Sequence, residues 1–196
     1  MFIKSKIVYS IEKGVSKMNI VNKIVCRLID LYKRQDHIKY AREKGVVVGK
    51  NCKFVDNPVW GTEPYLITIG DHVLISGQVS FVNHDGSTWC FREKGPYKDT
   101  FKFGPITIGN NCFIGYKSTI LPNVKIGDNC VVAAGSMVNK SIPSGEVWGG
   151  VPARYIMKIE DYAKKCYDNR LPYDPVKIKT DKKNEMLRVL KMEERM

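Results

Sequence analysis

From Ile108 onward an aliphatic residue returns at every sixth position: Ile108, Ile114, Ile120, Ile126, Val132 and Val138. Two shorter runs keep the same step, Val48, Phe54, Trp60 and Ile69, Ile75, Phe81. Glycine follows the aliphatic residue at Gly49, Gly70, Gly109, Gly115 and Gly127. Four positions after it stands something small or branched: Cys52, Val73, Val79, Cys112, Ser118, Val124, Cys130 and Ser136. A step of six keeps no constant face on an α-helix, whose residues advance about 100° each. It fits a short strand and a turn, with three such units closing a triangular coil of about eighteen residues. Coils of this kind stack about 4.8 Å apart. The aliphatic column becomes the core, and glycine is expected to take the strained turn conformation.

The pattern also marks where the repeat stops. Between Phe81 and Ile108 the chain departs from the step and carries "NHDG" and a stretch rich in aromatic residues. An insertion loop is expected at about 83–105. Upstream, Ile20, Val21, Ile24, Val25, Leu28, Ile29 and Tyr32 recur at helical spacing, predicting a helix over 17–44. Downstream of Pro152 the period ends, and helices are expected at 157–168 and 181–195, with Asp181 as a cap. The chain divides accordingly into an N-terminal basic segment (1–45), a repeat domain (46–156) and a C-terminal helical extension (157–196).

The net charge of +12 is unevenly placed. Residues 1–45 hold 11 Lys/Arg against 4 Asp/Glu, whereas 46–156 hold 10 against 8. A basic helix of this kind is usually a solvated surface, although an anionic membrane face is an available partner. No nucleic-acid motif accompanies the charge, so nucleic acid is not expected as a partner. The six cysteines form no CxxC pair, and three of them fill small positions of the repeat. With no signal-like h-region and no apolar run near 20 residues, the expectation is a cytoplasmic protein, possibly at the inner membrane face.

The segment "GPITIGNNCFIGYKSTILPNVKIGDNCVVAAGSMVNKSIPSGEVWGGVPARYI" (Gly104 to Ile156), with its closing "GGVPAR", resembles the hexapeptide-repeat acyltransferases. The similarity runs from about Val46 and is greatest to the galactoside/maltose O-acetyltransferase branch and its polysaccharide-modifying relatives. It implies a mainly β fold, a left-handed parallel β-helix with a protruding loop and flanking helices. It also implies a homotrimer with active sites in the clefts between subunits, and acetyl-CoA as co-substrate with no metal.

In that family a histidine follows the run matching "IGDHVLISGQVSFVN", which places the base at His84. The chemistry agrees: a hydroxyl is barely ionised at neutral pH, and an imidazole can take its proton and return it. Around the acceptor the resemblance and the loop single out Gln78, Asn83, Asp85, Trp89 and Arg92. Gln78 stands where galactoside acetyltransferases carry an asparagine. Asp85 could orient the imidazole, bond a sugar hydroxyl or start the loop as a turn residue. Trp89 suits stacking on a sugar, and Arg92 has a fork that pairs with carboxylate or phosphate. For the co-substrate the correspondence points to Phe113, in place of a tryptophan, and to Tyr116, Ala134, Lys140 and Arg154. His72 reads as a surface turn residue and His37 carries no motif.

The leading expectation is therefore acetyl transfer to a saccharide hydroxyl in surface polysaccharide biosynthesis or modification. N-acetylation of an amino-sugar nucleotide or an antibiotic is the enzymatic alternative. A trimeric scaffold with a membrane-surface helix is the non-enzymatic one. A zinc enzyme on the same fold would need three histidine ligands, and only His72 and His84 lie within the repeats.

Overall fold

The computed structural model describes residues 36–191. Most of the proposed helix over 17–44 therefore lies outside the described residues. Asp36 is extended (φ −99°, ψ 91°) and its carboxylate accepts from the Lys39 N–H, so it caps a helix at His37–Glu43.

Thirteen short strands follow. They are β1 (Val47–Val48), β2 (Lys53–Phe54), β3 (Ile67–Ile69), β4 (Leu74–Ile75), β5 (Ser80–Phe81), β6 (Ile106–Ile108) and β7 (Phe113–Ile114). Then come β8 (Thr119–Ile120), β9 (Lys125–Ile126), β10 (Val131–Val132), β11 (Met137–Val138), β12 (Glu146–Gly150) and β13 (Ala153–Lys158). They form three sheets, ordered β1-β3-β6-β9, β13-β12-β10-β7-β4-β2 and β11-β8-β5. The chain visits the three in turn, and successive visits to a sheet pair in parallel. The six-residue step is read directly in the register. Ile69 pairs with Ile108 and Ile108 with Ile126; Ile75 pairs with Ile114; Phe81 pairs with Ile120 and Ile120 with Val138.

The aliphatic column is the core. Ile69, Ile75, Phe81, Ile108, Ile114, Ile120, Ile126, Val132 and Val138 are all at most 1% exposed. Alternate strand residues such as Lys53 and Lys125 point to solvent. The first coil is the most aromatic, and Trp60 stacks on Phe81 of the next coil at 5.1 Å. The small fourth-position residues turn inward at a corner and donate to the next coil's carbonyls. Cys112 Sγ reaches Gly127 O at 3.1 Å, Cys130 Sγ reaches Pro143 O at 3.1 Å, and Ser118 Oγ reaches Ala133 O at 3.1 Å. Their burial therefore leaves no polar group wanting.

Glycine does not do what the period suggested. The left-handed turn position is the third after the aliphatic residue, held by Asn51, His72, Gln78, Asn111, Lys117, Asn123 and Asn129 with φ of 54–64°. The glycines stand one position after the aliphatic, where a side chain would strike the neighbouring coil. A Cβ on Gly70 would lie 2.9 Å from the Gly109 backbone, and one on Gly127 would lie 2.6 Å from the Ser144 N. The glycines thus permit stacking, while the strained dihedrals fall mostly to asparagine, which tolerates them.

The described residues fall into two compact units, with the boundary after Ile156. The second holds helices at Ile159–Asp168, Lys177–Thr180 and Lys182–Val189. The middle one was not anticipated, and the last is shorter than the expected 181–195. Asp181 does cap it, accepting from the Asn184 N–H. The buried Glu185 carboxylate ties this unit together through Arg188 and the Asp174 N–H, both at 2.6 Å. No helix among the described residues is long and apolar enough to cross a membrane.

Because Ile114 is sealed between Ile75 and Val132, truncation leaves a cavity that rigid coils cannot close. Ile114→Ala is expected to cost about 2–5 kcal/mol in urea unfolding, against less than about 0.5 kcal/mol for the exposed Lys125→Ala.

Candidate active site

Departures from the eighteen-residue circuit are expelled at one corner. Trp60 to Ile69 spans nine positions instead of six, and Phe81 to Ile108 spans twenty-seven. Both insertions leave the corner between the third sheet and the first, one coil apart. The shorter one brings in Thr62 and Glu63, which the sequence reading did not single out. The longer one begins with Asn83 and His84.

These four residues meet. His84 Nδ1 lies 2.9 Å from Glu63 Oε2 and 3.2 Å from Thr62 Oγ1. Thr62 Oγ1 donates to the other carboxylate oxygen, Oε1, at 2.7 Å. An ionised carboxylate only accepts, so Nδ1 carries the hydrogen and Nε2 keeps its lone pair. The carboxylate is largely enclosed (15% exposed), whereas the imidazole is open on its other side (41%). Burial pushes the Glu63 carboxyl up. The hydrogen bonds from Thr62 and His84, with the attraction of the imidazole, outweigh it and hold the group below its usual value.

Asn83 is fully buried, and its Nδ2 donates to the Glu63 carbonyl at 3.0 Å. It secures the segment that carries Glu63, which differs from the acceptor contact expected of it. Asp85 does not orient the imidazole. Its carboxylate accepts from the Ser87 N–H at 3.0 Å and from Lys102 Nζ at 2.9 Å, and caps the 3₁₀ turn Gly86–Cys90. These bonds, Ser87 first and then Lys102, hold it well below the usual carboxylate range. Of its expected roles, that of turn residue is the one these contacts display.

Beyond Asp85 the loop folds on itself. His84 and Phe103 form an antiparallel bridge, supported by Asp85 N to Lys102 O at 2.8 Å and Gly104 N to Asn83 O at 2.8 Å. Trp89 and Arg92 sit together, with the guanidinium 5.0 Å over the indole and 4.9 Å over Phe101. They line a cavity of about 330 Å³ with His84, Thr88 and Lys102. A second cavity of about 460 Å³ flanks His84 along the coil, lined by Leu121, Pro122, Asn123 and Asn139. Lys140 follows Asn139 on this same corner.

The other expected residues stand elsewhere. Gln78 turns the corner between the second sheet and the third, its N–H bonded to the Asp56 carboxylate. Tyr116 and Ala134 stack beneath it on the same corner, and the neighbouring Phe113 faces outward from the second sheet. Phe113 and Tyr116 are 38% and 43% exposed. Arg154 lies on β13 and its guanidinium donates to the Ala153 carbonyl. Within one chain, then, His84 is separated from Phe113, Tyr116 and Ala134 by the width of the third sheet, whereas Lys140 shares its corner. His72 bonds Asn111 Oδ1 at 2.7 Å in a ladder of surface turns.

Residues 105–140 match the family model described as bacterial transferase hexapeptide (six repeats). The chain is 45% identical over 157 residues to Protein CapG of Staphylococcus aureus, covering 76% of this chain and 90% of that protein. It is 43% identical over 111 residues to the galactoside O-acetyltransferase of Escherichia coli K12, covering 54% of this chain and 50% of that protein. A maltose O-acetyltransferase from Clostridium difficile 630 superposes with a TM-score of 0.51 at 24% identity, over 73% of this chain and 90% of the other. The fold and the repeat define a hexapeptide-type transferase. The chain belongs to the hexapeptide-repeat acyltransferase family, and is an enzyme of that class.

The Glu63 contact fixes the tautomer, and spectroscopy reads it. In ¹⁵N-labelled protein the neutral His84 is expected to carry its proton on Nδ1, and Glu63→Leu should return it mainly to Nε2. Because the Glu63 carboxyl is lowered on folding, the pairing's contribution to stability is complete above about pH 4.3 and is lost as pH falls through the lowered value. An Nε2–H tautomer in the unsubstituted protein contradicts the geometry.

Proposed function

We propose that the chain transfers an acetyl group from acetyl-CoA to a hydroxyl of a saccharide, with His84 as general base. The observation that carries this is the His84–Glu63 contact, which in the neutral ring places the hydrogen on Nδ1 and leaves Nε2 as the basic nitrogen of a residue that lines two cavities. In the reaction Nε2 takes the hydroxyl proton as the oxygen bonds to the acetyl carbonyl carbon. The carbon–sulfur bond then breaks, and the imidazolium returns the proton to the departing thiolate. Glu63 holds the ring and stabilises its positive form, and Thr62 occupies the second carboxylate oxygen.

A hydroxyl acceptor suits this site better than an amine. An ammonium would seek a carboxylate beside His84, and Asp85 is already engaged by Ser87 and Lys102 while Glu63 is engaged by Thr62 and the imidazole. The galactoside O-acetyltransferase among the similar proteins agrees with a saccharide acceptor.

The co-substrate would use the other corner. Exposed Phe113 and Tyr116 and the Ala134 backbone offer an apolar strip to a pantetheine arm, with Arg154 as a cation for its phosphates and Lys140 as a second one on the His84 corner. That corner and His84 lie on different edges of one prism. We therefore infer a homotrimer of left-handed β-helices in which one copy's His84 edge faces a neighbour's Gln78–Tyr116–Ala134 edge. A scaffold would have no use for an oriented, exposed imidazole.

With acetyl-CoA and a saccharide panel, thiol release should fall about 10²–10⁴-fold in His84→Ala, with the circular dichroism spectrum unchanged. Turnover that survives the substitution removes His84 from the chemistry. Absence of turnover with every saccharide counts against a saccharide acceptor.

A further inference from the structure

We infer that the acceptor bears an anionic oxygen group (carboxylate, phosphate or sulfate) received by the Arg92 guanidinium in the cavity beside His84. The inference rests on the acetyl-transfer reading and narrows its substrate class.

The first support is charge accounting. The cavity of about 330 Å³ is lined by four groups that carry or can carry charge: His84, Asp85, Arg92 and Lys102. Lys102 is matched by Asp85 at 2.9 Å, and His84 by Glu63 at 2.9 Å. Among the described residues no carboxylate lies within ion-pair distance of Arg92, although Glu93 and Asp99 are close in sequence. The cavity therefore carries one unbalanced, permanent positive charge.

The second support is geometry. The guanidinium carbon lies over the Trp89 ring at 5.0 Å and over the Phe101 ring at 4.9 Å, so two aromatic rings hold it in place. The rings take up none of its N–H donors in conventional hydrogen bonds, and the fork of those donors matches two oxygens of a carboxylate, phosphate or sulfate.

The third is preorganisation. The Arg92 N–H donates to Thr88 O at 2.9 Å, and its carbonyl accepts from the Asp99 N–H at 2.9 Å. Thr88 is itself buried, so the backbone under Arg92 is tied into the loop. A cation fixed in this way costs less to engage than a free surface arginine. A purely structural cation–π clasp would work equally well outside any cavity. This one shares its cavity with the proposed base.

The test compares methyl β-D-glucuronide, glucose 6-phosphate and glucose 6-sulfate with the neutral methyl β-D-glucoside, by calorimetric binding and by acetyl transfer. At least one anionic sugar is expected to bind about 10- to 100-fold more tightly than the neutral one, with the advantage shrinking as salt is added. Arg92→Gln should erase that advantage, bringing the anionic sugars to the level of the neutral glucoside. Arg92→Lys, which keeps the charge and loses the fork, should retain part of it. Equal binding of charged and neutral sugars overturns the inference, as does an advantage that survives Arg92→Gln. A raised KM for acetyl-CoA in Arg92→Gln, with the sugar preference intact, reassigns the guanidinium to the co-substrate's phosphates and also overturns it. Anionic sugars that bind through Arg92 without being acetylated leave the anion site standing and sink the transferase reading. Acetylation of neutral sugars alone does the reverse.

Discussion

Everything in the repeat domain depends on coil-to-coil registration of one interior column. Ile69, Ile108 and Ile126 stand over one another, as do Ile75, Ile114 and Val132, each sealed from water by its neighbours above and below. Burial of this kind contributes roughly 25 cal/mol per Å². It is realised only if every circuit returns to the same phase. Polar ladders keep the phase from outside. The Lys50 N–H bonds Asp71 Oδ1, the Asp71 N–H bonds Asn110 Oδ1, the Asn110 N–H bonds Asp128 Oδ1, and the Asp128 N–H bonds Ser144 Oγ. The glycines after Val48, Ile69, Ile108 and Ile126 let the backbones come close enough for those bonds. Core, ladder and glycine are one constraint seen from three sides.

A prism held so strictly in phase cannot absorb an extra residue within a face, because one slip would turn the column outward. Surplus chain leaves at a corner. The extra residues after Trp60 and the longer insertion after Phe81 leave by the same corner on adjacent coils, which is why Glu63 comes to lie beside His84. The dyad follows from stacking, not from proximity in sequence. Asn83, buried behind it, bonds the Glu63 carbonyl and so fixes one insertion against the other.

This also explains what could be read from the chain alone. The interior column was legible because its period is a direct image of burial, and His84 because it opens the interruption. Glu63 was not, since its role depends on register between coils. The only trace of it is that Val48 and Ile69 are twenty-one positions apart where Ile108 and Ile126 are eighteen. Asp85 invited a role at the imidazole by adjacency. Yet successive residues of an extended segment point to opposite sides, and Asp85 turns into its own loop to cap Gly86–Cys90. The glycines misled for a related reason. Glycine suggests either a left-handed dihedral or a close approach, and the period alone does not separate the two. The asparagines two positions later, at Asn51, Asn111 and Asn129, were the better sign of the strained turn.

The way the long loop is attached separates two tasks. Its two ends are clamped by the His84–Phe103 bridge and the flanking bonds from Asp85 to Lys102 and from Gly104 to Asn83. Inside that clamp lies His84, fixed to the rigid prism through β5 and through Glu63 on the coil beside it. Outside it lies the portion from Gly86 to Phe101, whose contacts are largely with itself: Phe91 against Tyr97, Arg92 between Trp89 and Phe101. Substitutions in the outer portion can reshape the wall of the 330 Å³ cavity without moving the imidazole. Substitutions in the clamp reach the imidazole directly. A fold whose core permits no irregularity thus concentrates its freedom to vary in one loop, on the far side of a clamp from the His84–Glu63 pair.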